Sequence, residues 1–370
     1  MSMWSNLPFD LLANIFSFLS PDSLARARSA CRNWNACALN YPLGPRYAAQ
    51  SHPPWFLALP IRNHRPCCYA QNPAMAMGKD NWHEISLEFL SVPVRPVAPV
   101  ESLLLLRVTN SITLQLAICN PFTRQFRYLP RLNISRTNPA VGITVMDSNS
   151  FRIYVAGGMS EAGQGGAFYE PTTELYDSKL DTWKIVGSVP VEFAVRLTVW
   201  TPNESVYTKG VLYWITSARA YSVIGFELCT NAWFELGVPM ADRLEFATLV
   251  RRNEVVTLVG GTSGGNACIW ELNEGSIWCL LDTVPSELGS RFLQGKTNWG
   301  STKCVGNDNA ICLYRDLGSG MVIWREDGDE GRWEWFWAEG CHYIKGKQVQ
   351  NNPIRGILIH PSLASSFIFD

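Results

Sequence analysis

Six times after residue 50, an aromatic residue opens a short apolar run, usually followed by proline. This recurrence constrains the fold more than any other feature of the chain. The runs are Trp82-His83-Glu84-Ile85, Phe126-Arg127-Tyr128-Leu129-Pro130, Trp183-Lys184-Ile185-Val186, Trp233-Phe234-Glu235-Leu236, Trp278-Cys279-Leu280-Leu281 and Trp333-Glu334-Trp335-Phe336, with first anchors 44 to 57 residues apart. A repeat of that length marks an array of similar supersecondary units. Before four of the anchors a second β-like run ends, at 174–177, 224–227, 269–272 and 322–325. A third run closes in Ala156-Gly157-Gly158 or Val259-Gly260-Gly261. Helical patterns nearly vanish beyond residue 51, and short strands alternate with turn residues, so the region reads as mainly β.

Strand, Gly-Gly, loop, strand with an aromatic, short loop and Trp resembles the kelch repeat. The glycine pair is expected to turn the backbone tightly, and the Trp to pack between blades. Asn120-Pro121-Phe122-Thr123 with Leu129-Pro130 resembles the signature of F-box-associated propeller domains. The resemblance implies a kelch-type β-propeller. Six blades are counted, with seven left open, and the run 355–360 has no blade of its own. That run is expected to complete the first blade and close the ring, which removes free sheet edges.

The N-terminus is patterned differently. Leu11, Leu12, Ile15, Phe16 and Leu19 lie on one helical face, with Pro8 and Asp10 suited to a first turn. Ser20-Pro21-Asp22 is a start signal, and Leu24, Ala27, Cys31, Trp34 and Ala38 follow at helical spacing, as one long helix or two short ones. A unit this small is unstable without something to pack on. Leu7-Pro8-Phe9-Asp10-Leu11-Leu12, Ile15-Phe16, Leu19, Pro21, Leu24 and Cys31-Arg32-Asn33-Trp34 closely resemble the F-box, with Ala30 and Ser20 as mild departures. That resemblance implies binding to a Skp-type adaptor through Leu7, Pro8, Leu11, Leu12, Ile15, Phe16, Leu19, Leu24, Cys31 and Trp34. Through the adaptor it implies a cullin and a RING protein. The chain divides into 1–50, a helical F-box domain with the start of a connector, and 51–370, the propeller. Residues 41–54, with five prolines and glycines, read as a stiff connector.

Composition narrows the function classes. The 370 residues carry 31 Lys+Arg against 32 Asp+Glu, for a formal charge of −1, so binding to nucleic acid through bulk charge is not expected. The longest aliphatic run, 103–106, is far short of a membrane span. The residues at 1–4 give no signal peptide. Eleven cysteines without a CxxC pair read as reduced thiols of a cytoplasmic or nuclear protein rather than a disulfide framework or zinc site.

Catalytic motifs are weak. Gly261-Thr262-Ser263-Gly264-Gly265 matches a hydrolase elbow, but a strand pattern follows where a helix is required. The five histidines show no ligand spacing, and Cys67-Cys68 reads as two buried thiols before a redox pair. No catalytic residue, metal or cofactor is expected. The expected role is a client-binding subunit of a ubiquitin ligase. The alternative is a scaffold or transcriptional co-regulator that uses the same surfaces without degradation. Long connections on one end of the ring are the candidate client surface, with Met159, Glu161, Phe168, Tyr169, Arg219, Tyr221, Arg315 and Asp316 as contacts.

Overall fold

The structure is a computed structural model. It describes residues 7–19, 21–40, 54–61, 66–72, 82–147, 150–162, 165–199, 205–296, 298–326, 332–344, 346–362 and 368. The connector expected over 41–54 lies, apart from Pro54, outside them, as does Ser20.

Helices α1 (Phe9–Phe16), α2 (Pro21–Ala30) and α3 (Arg32–Asn40) form the N-terminal unit. The second helical pattern is therefore two short helices broken at Cys31, whose Sγ accepts the Trp34 N–H at 3.4 Å. Leu12, Phe16, Leu24, Ala27, Cys37 and Ala38 make the core between the helices. The Trp34 ring meets Phe16 edge-on at 5.7 Å.

Six four-stranded antiparallel sheets follow. Their strands are lettered a to d from the axis outward. Blade 2 takes Val94–Val100, Leu103–Val108, Leu116–Asn120 and Gln125–Tyr128. Blade 3 takes Ala140–Asp147, Ser150–Ala156, Thr172–Asp177 and Thr182–Ser188. Blade 4 takes Ser205–Thr208, Val211–Thr216, Ser222–Glu227 and Ala232–Gly237. Blade 5 takes Leu244–Arg252, Val255–Thr262, Ala267–Asn273 and Ile277–Thr283, and blade 6 Lys303–Gly306, Ala310–Tyr314, Met321–Glu326 and Trp333–Ala338. Blade 1 is composite: Trp55–Pro60, Cys67–Gln71 and Trp82–Ser86 are its strands b to d, and the C-terminal Ile354–Ile359 supplies strand a. The innermost strands touch their neighbours in an unbroken circle. The propeller thus has six blades, and the last strand closes it as the sequence leads one to expect.

The aromatic anchors open the outermost strands, and at four of the six interfaces the anchor is an indole that reaches the preceding blade. Trp82, Trp183, Trp233 and Trp278 donate Nε1–H to the carbonyls of Glu339, Pro130, Ser188 and Gly237 at 2.7 to 3.1 Å. Each carbonyl ends or follows the neighbour's strand d. One side chain thereby fills the gap between blades and satisfies a strand-end acceptor.

The two glycine pairs differ. Gly157 and Gly158 have φ of +66° and +94°, the tight turn that glycine permits. Gly260 and Gly261 instead continue strand b of blade 5 and supply room. A Cβ at Gly261 would stand 2.7 Å from the Trp299 ring.

Two helices stand in the links of the region where helical patterns nearly vanish from the sequence. Helix α4 (Val191–Val199) follows Pro190, and α5 (Ser286–Leu293) follows Pro285. Each folds because an apolar stripe, Phe193-Ala194-Leu197 or Gly289-Phe292, closes onto the blade ends.

A fully buried ion pair fixes the link into blade 3. Arg136 meets Glu174 at 2.6 Å with both side chains wholly inaccessible. Arg136 also donates to the Thr172 carbonyl, and Glu174 accepts the N–H groups of Asn133 and Ile134. Removing one partner strands the other charge. Arg136→Met is expected to destabilise the propeller by about 3–5 kcal/mol, read as a lower urea midpoint by tryptophan fluorescence. An unchanged midpoint would remove this pair from the framework.

Candidate functional site

The meander separates two ends of the ring. Turns between strands a and b and between c and d lie at one end. Loops between b and c, and the links from d to the next a, lie at the other.

The helical unit belongs to the first end. Phe122, in the c–d turn of blade 2, packs against the helical core and meets Trp55 edge-on at 6.3 Å. Its turn is built by Asn120. The Asn120 Oδ1 accepts the N–H groups of Phe122 and Thr123 at 2.9 and 3.1 Å, and Arg124 closes the turn at a φ of 62°. Asn120 Nδ2 also donates to the Ser362 carbonyl at 3.2 Å. The Asn120-Pro121-Phe122-Thr123 signature is therefore the seat on which the N-terminal helices rest.

The ten adaptor candidates divide by burial. Leu12, Phe16 and Leu24 are turned wholly into the helical core. Leu7, Leu19 and Trp34 are half-buried against it, and Cys31 is half-buried between α2 and α3. Pro8, Leu11 and Ile15 face outward, with Leu11 49% and Ile15 44% exposed. They occupy one side of α1 at helical spacing. Phe18 is 54% exposed just beyond.

At the opposite end the client candidates scatter. Met159 and Tyr169 pair across a small hairpin, Met159–Glu161 with Ala167–Tyr169. Glu161 and Phe168 project from it, and Tyr169 packs down onto the core between blades 3 and 4. Arg219 is exposed. Tyr221 alone of the eight lines a cavity of about 690 Å³ at this end. Arg315 is not a surface contact: it is 8% exposed and donates to Ser301 Oγ and to the carbonyls of Phe292 and Leu293 at the end of α5. It is a strut for that helix. Asp316 accepts the Ser319 N–H at 2.8 Å and bridges to Pro353, so it shapes its own loop.

The cavity at this end has a volume of about 690 Å³ and opens at the mouth of the central channel. Tyr221, Ser217, Phe246, Val199 and Ile61 supply walls, and Arg95, Lys303, Arg355 and Glu245 supply charge. These charged residues escaped the sequence reading because the blades that carry them are distant in sequence. The one available signal is position: each is the first or second residue of an innermost strand.

Cys67 and Cys68 are both buried in blade 1. Burial raises the Cys68 thiol far above its ordinary range, and neighbouring Cys67 adds to it. Burial likewise pushes Cys119 and Cys312 up to about 12. A raised thiol is protonated at working pH and unreactive. Among the described residues no group of three or more His, Cys, Asp or Glu is arranged for a metal.

Comparison with known proteins gives two family models: residues 4–43 match "F-box-like", and residues 72–249 match "F-box associated beta propeller domain". Relatives from Arabidopsis thaliana match along nearly the whole chain. "F-box only protein 6" is 22% identical over 94% of this chain and 72% of its own length. "Protein UNUSUAL FLORAL ORGANS" is 21% identical over 92% of this chain and 80% of its own. An F-box/kelch-repeat protein is 24% identical over 94% of this chain and 84% of its own.

Thiol chemistry checks the burial pattern. With iodoacetamide at pH 8, Cys229 and Cys279, both exposed, are expected to label first. Cys68, Cys119 and Cys312 are expected to label only after denaturation, their thiolate fraction being on the order of 10⁻⁴ or less at that pH. Peptide mass mapping over time reads the order. Early labelling of Cys68 would contradict the buried pair.

Proposed function

Since this chain is an F-box protein with an associated β-propeller, we propose that it is the client receptor of a Skp–cullin–F-box ubiquitin ligase. The F-box-like domain implies a Skp-type adaptor as partner. The observation that carries the reading is the outward apolar side of α1. Leu11 and Ile15 stand exposed on a helix whose other side is fully packed, at the end of the molecule away from the cavity. An apolar stripe on a helix in that setting is what a partner protein covers.

In this role the chain does no chemistry. Bond formation belongs to the conjugating enzyme held by the cullin's RING protein. The receptor supplies proximity, replacing a bimolecular encounter by a high local concentration of client. Orientation matters for that, and Phe122 seats the helices on the propeller so that both ends keep a fixed relation. The protein would act in the cytoplasm or nucleus and carry no cofactor. A scaffold without degradation would use the same two ends, and client-dependent ubiquitin transfer in a reconstituted ligase separates it from a receptor.

The helical side is tested by Leu11→Asp with Ile15→Asp. Loss of a central interface anchor costs about 2 kcal/mol or more, so adaptor affinity is expected to fall at least about thirtyfold in titration calorimetry. The thermal midpoint of the propeller should stay unchanged, because neither side chain is in its core. Wild-type adaptor affinity in this variant would overturn the docking side.

A further inference from the structure

The innermost strands run in one direction around the axis, so their first residues gather at one mouth of the channel. Arg95, Lys303 and Arg355 stand at three of these starts, in blades 2, 6 and 1, and line the 690 Å³ cavity together. Arg95 and Arg355 also line an adjoining cavity of about 290 Å³ with Arg107, and no carboxylate is among its described walls.

The sheet is built against itself here. Arg95 and Arg107 are directly opposed in the antiparallel ladder between strands a and b of blade 2. Like charges in opposed positions destabilise a sheet. Blade 3 shows the ordinary solution: Arg152 opposes Asp177 and pairs with it at 3.2 Å. In blade 2 the second charge is positive, and Arg107 is partly buried beside it, its basicity lowered first by desolvation and then by Arg95. Local conflict of this kind, kept in an otherwise consistent framework, marks a functional site.

The cations are also positioned. Arg107 donates to Asn138 Oδ1 at 3.1 Å, Arg355 to the Val97 carbonyl at 2.9 Å, and Lys303 to the Ile354 carbonyl at 2.6 Å. The Asn138 amide oxygen is a neutral acceptor, so this bond orients the Arg107 guanidinium without neutralising it. Glu245, the carboxylate lining the larger cavity, is engaged by the Trp299 N–H. Among the described residues Arg95 has no carboxylate partner. Two guanidinium forks side by side offer paired N–H donors to one oxyanion.

We propose that this channel mouth binds an oxyanion, a carboxylate or a phosphate, on an acidic segment of a client protein, with Arg95 and Arg107 as the contacting forks. Lys303 and Arg355 lie at the same mouth, and Tyr221 lines the larger cavity beside them, with aromatic surface for the peptide's neighbours. A local cationic cluster at an open cavity, in a chain of net charge −1, fits a peptide better than a nucleic-acid backbone, which calls for an extended basic track. The inference rests on the reading of the propeller as client receptor.

The experiment measures fluorescence anisotropy of labelled glycine-rich nonapeptides on the full chain at 50 mM salt. The peptides carry two central glutamates, two phosphoserines or two glutamines. Both acidic peptides are expected to bind at least tenfold tighter than the glutamine peptide and to weaken as salt rises. Arg95→Gln with Arg107→Gln should abolish that preference while the thermal midpoint stays equal or rises, because the opposed charges are gone. Arg95→Gln alone, at an exposed position, should lower it about threefold. A phosphoserine advantage assigns phosphate as the source, and parity or a glutamate advantage assigns carboxylate. Equal affinity of all three peptides, absence of binding, an unaffected variant, or tighter binding of a twenty-residue oligothymidine overturns the proposal. Adaptor affinity of the variant, measured in parallel, is expected to be unchanged, so failure here is distinguishable from failure of the receptor reading.

Discussion

Closure of the ring by strand Ile354–Ile359 is the constraint on which the rest depends. Six pairings, from Trp55 with Ile359 to Pro60 with Ile354, bind the last strand of the chain to the first strand of the propeller. Without them blade 1 would present an unpaired edge to the channel, and the innermost circle would be open. Close packing enforces the fit. A Cβ at Gly356 would lie 2.6 Å from the Phe56 ring and 2.8 Å from that of Tyr314, and the Gly356 N–H donates to the Tyr314 hydroxyl at 2.8 Å. The same strand carries Arg355 to the channel mouth. Closure and the candidate recognition surface are thus one piece of structure.

Much of this framework was legible from the sequence because the outermost strands announce themselves. An indole that fills a gap between blades and reaches a neighbour's carbonyl recurs at four of the six interfaces, and it survives where the glycine pairs do not. Phe122 sits in a turn whose Asn-Pro spacing is equally local. What stayed hidden depends on contacts between distant residues. Arg136 and Glu174 make a pair only once the link before blade 3 folds back over strand c. Arg95 and Arg107 oppose each other by register, which no periodicity reports. Arg315 reads as a loop charge because its acceptors, Ser301 and the carbonyls at the end of helix α5, are brought to it by that helix and the link after it, which a strand-period pattern does not reveal.

The two ends of the molecule suit different tasks for physical reasons. At the helical end the exposed apolar groups are Leu11, Ile15 and Phe18, which would contribute to binding through area removed from water. At the channel mouth they are cationic and set in a cavity, where field and geometry select a ligand more than area does. Between them stands a ring of sheets stitched by indole hydrogen bonds, which keeps the two ends apart.

Hydrogen–deuterium exchange of the full chain with and without a Skp-type adaptor tests the central claim, that one end docks the ligase and leaves the other free. Strong protection is predicted in peptides spanning Phe9–Phe16 and the residues just after it, with exchange unchanged at the b–c loops and at the starts of the innermost strands. Protection that skips α1, or that extends over the channel mouth, would contradict the account.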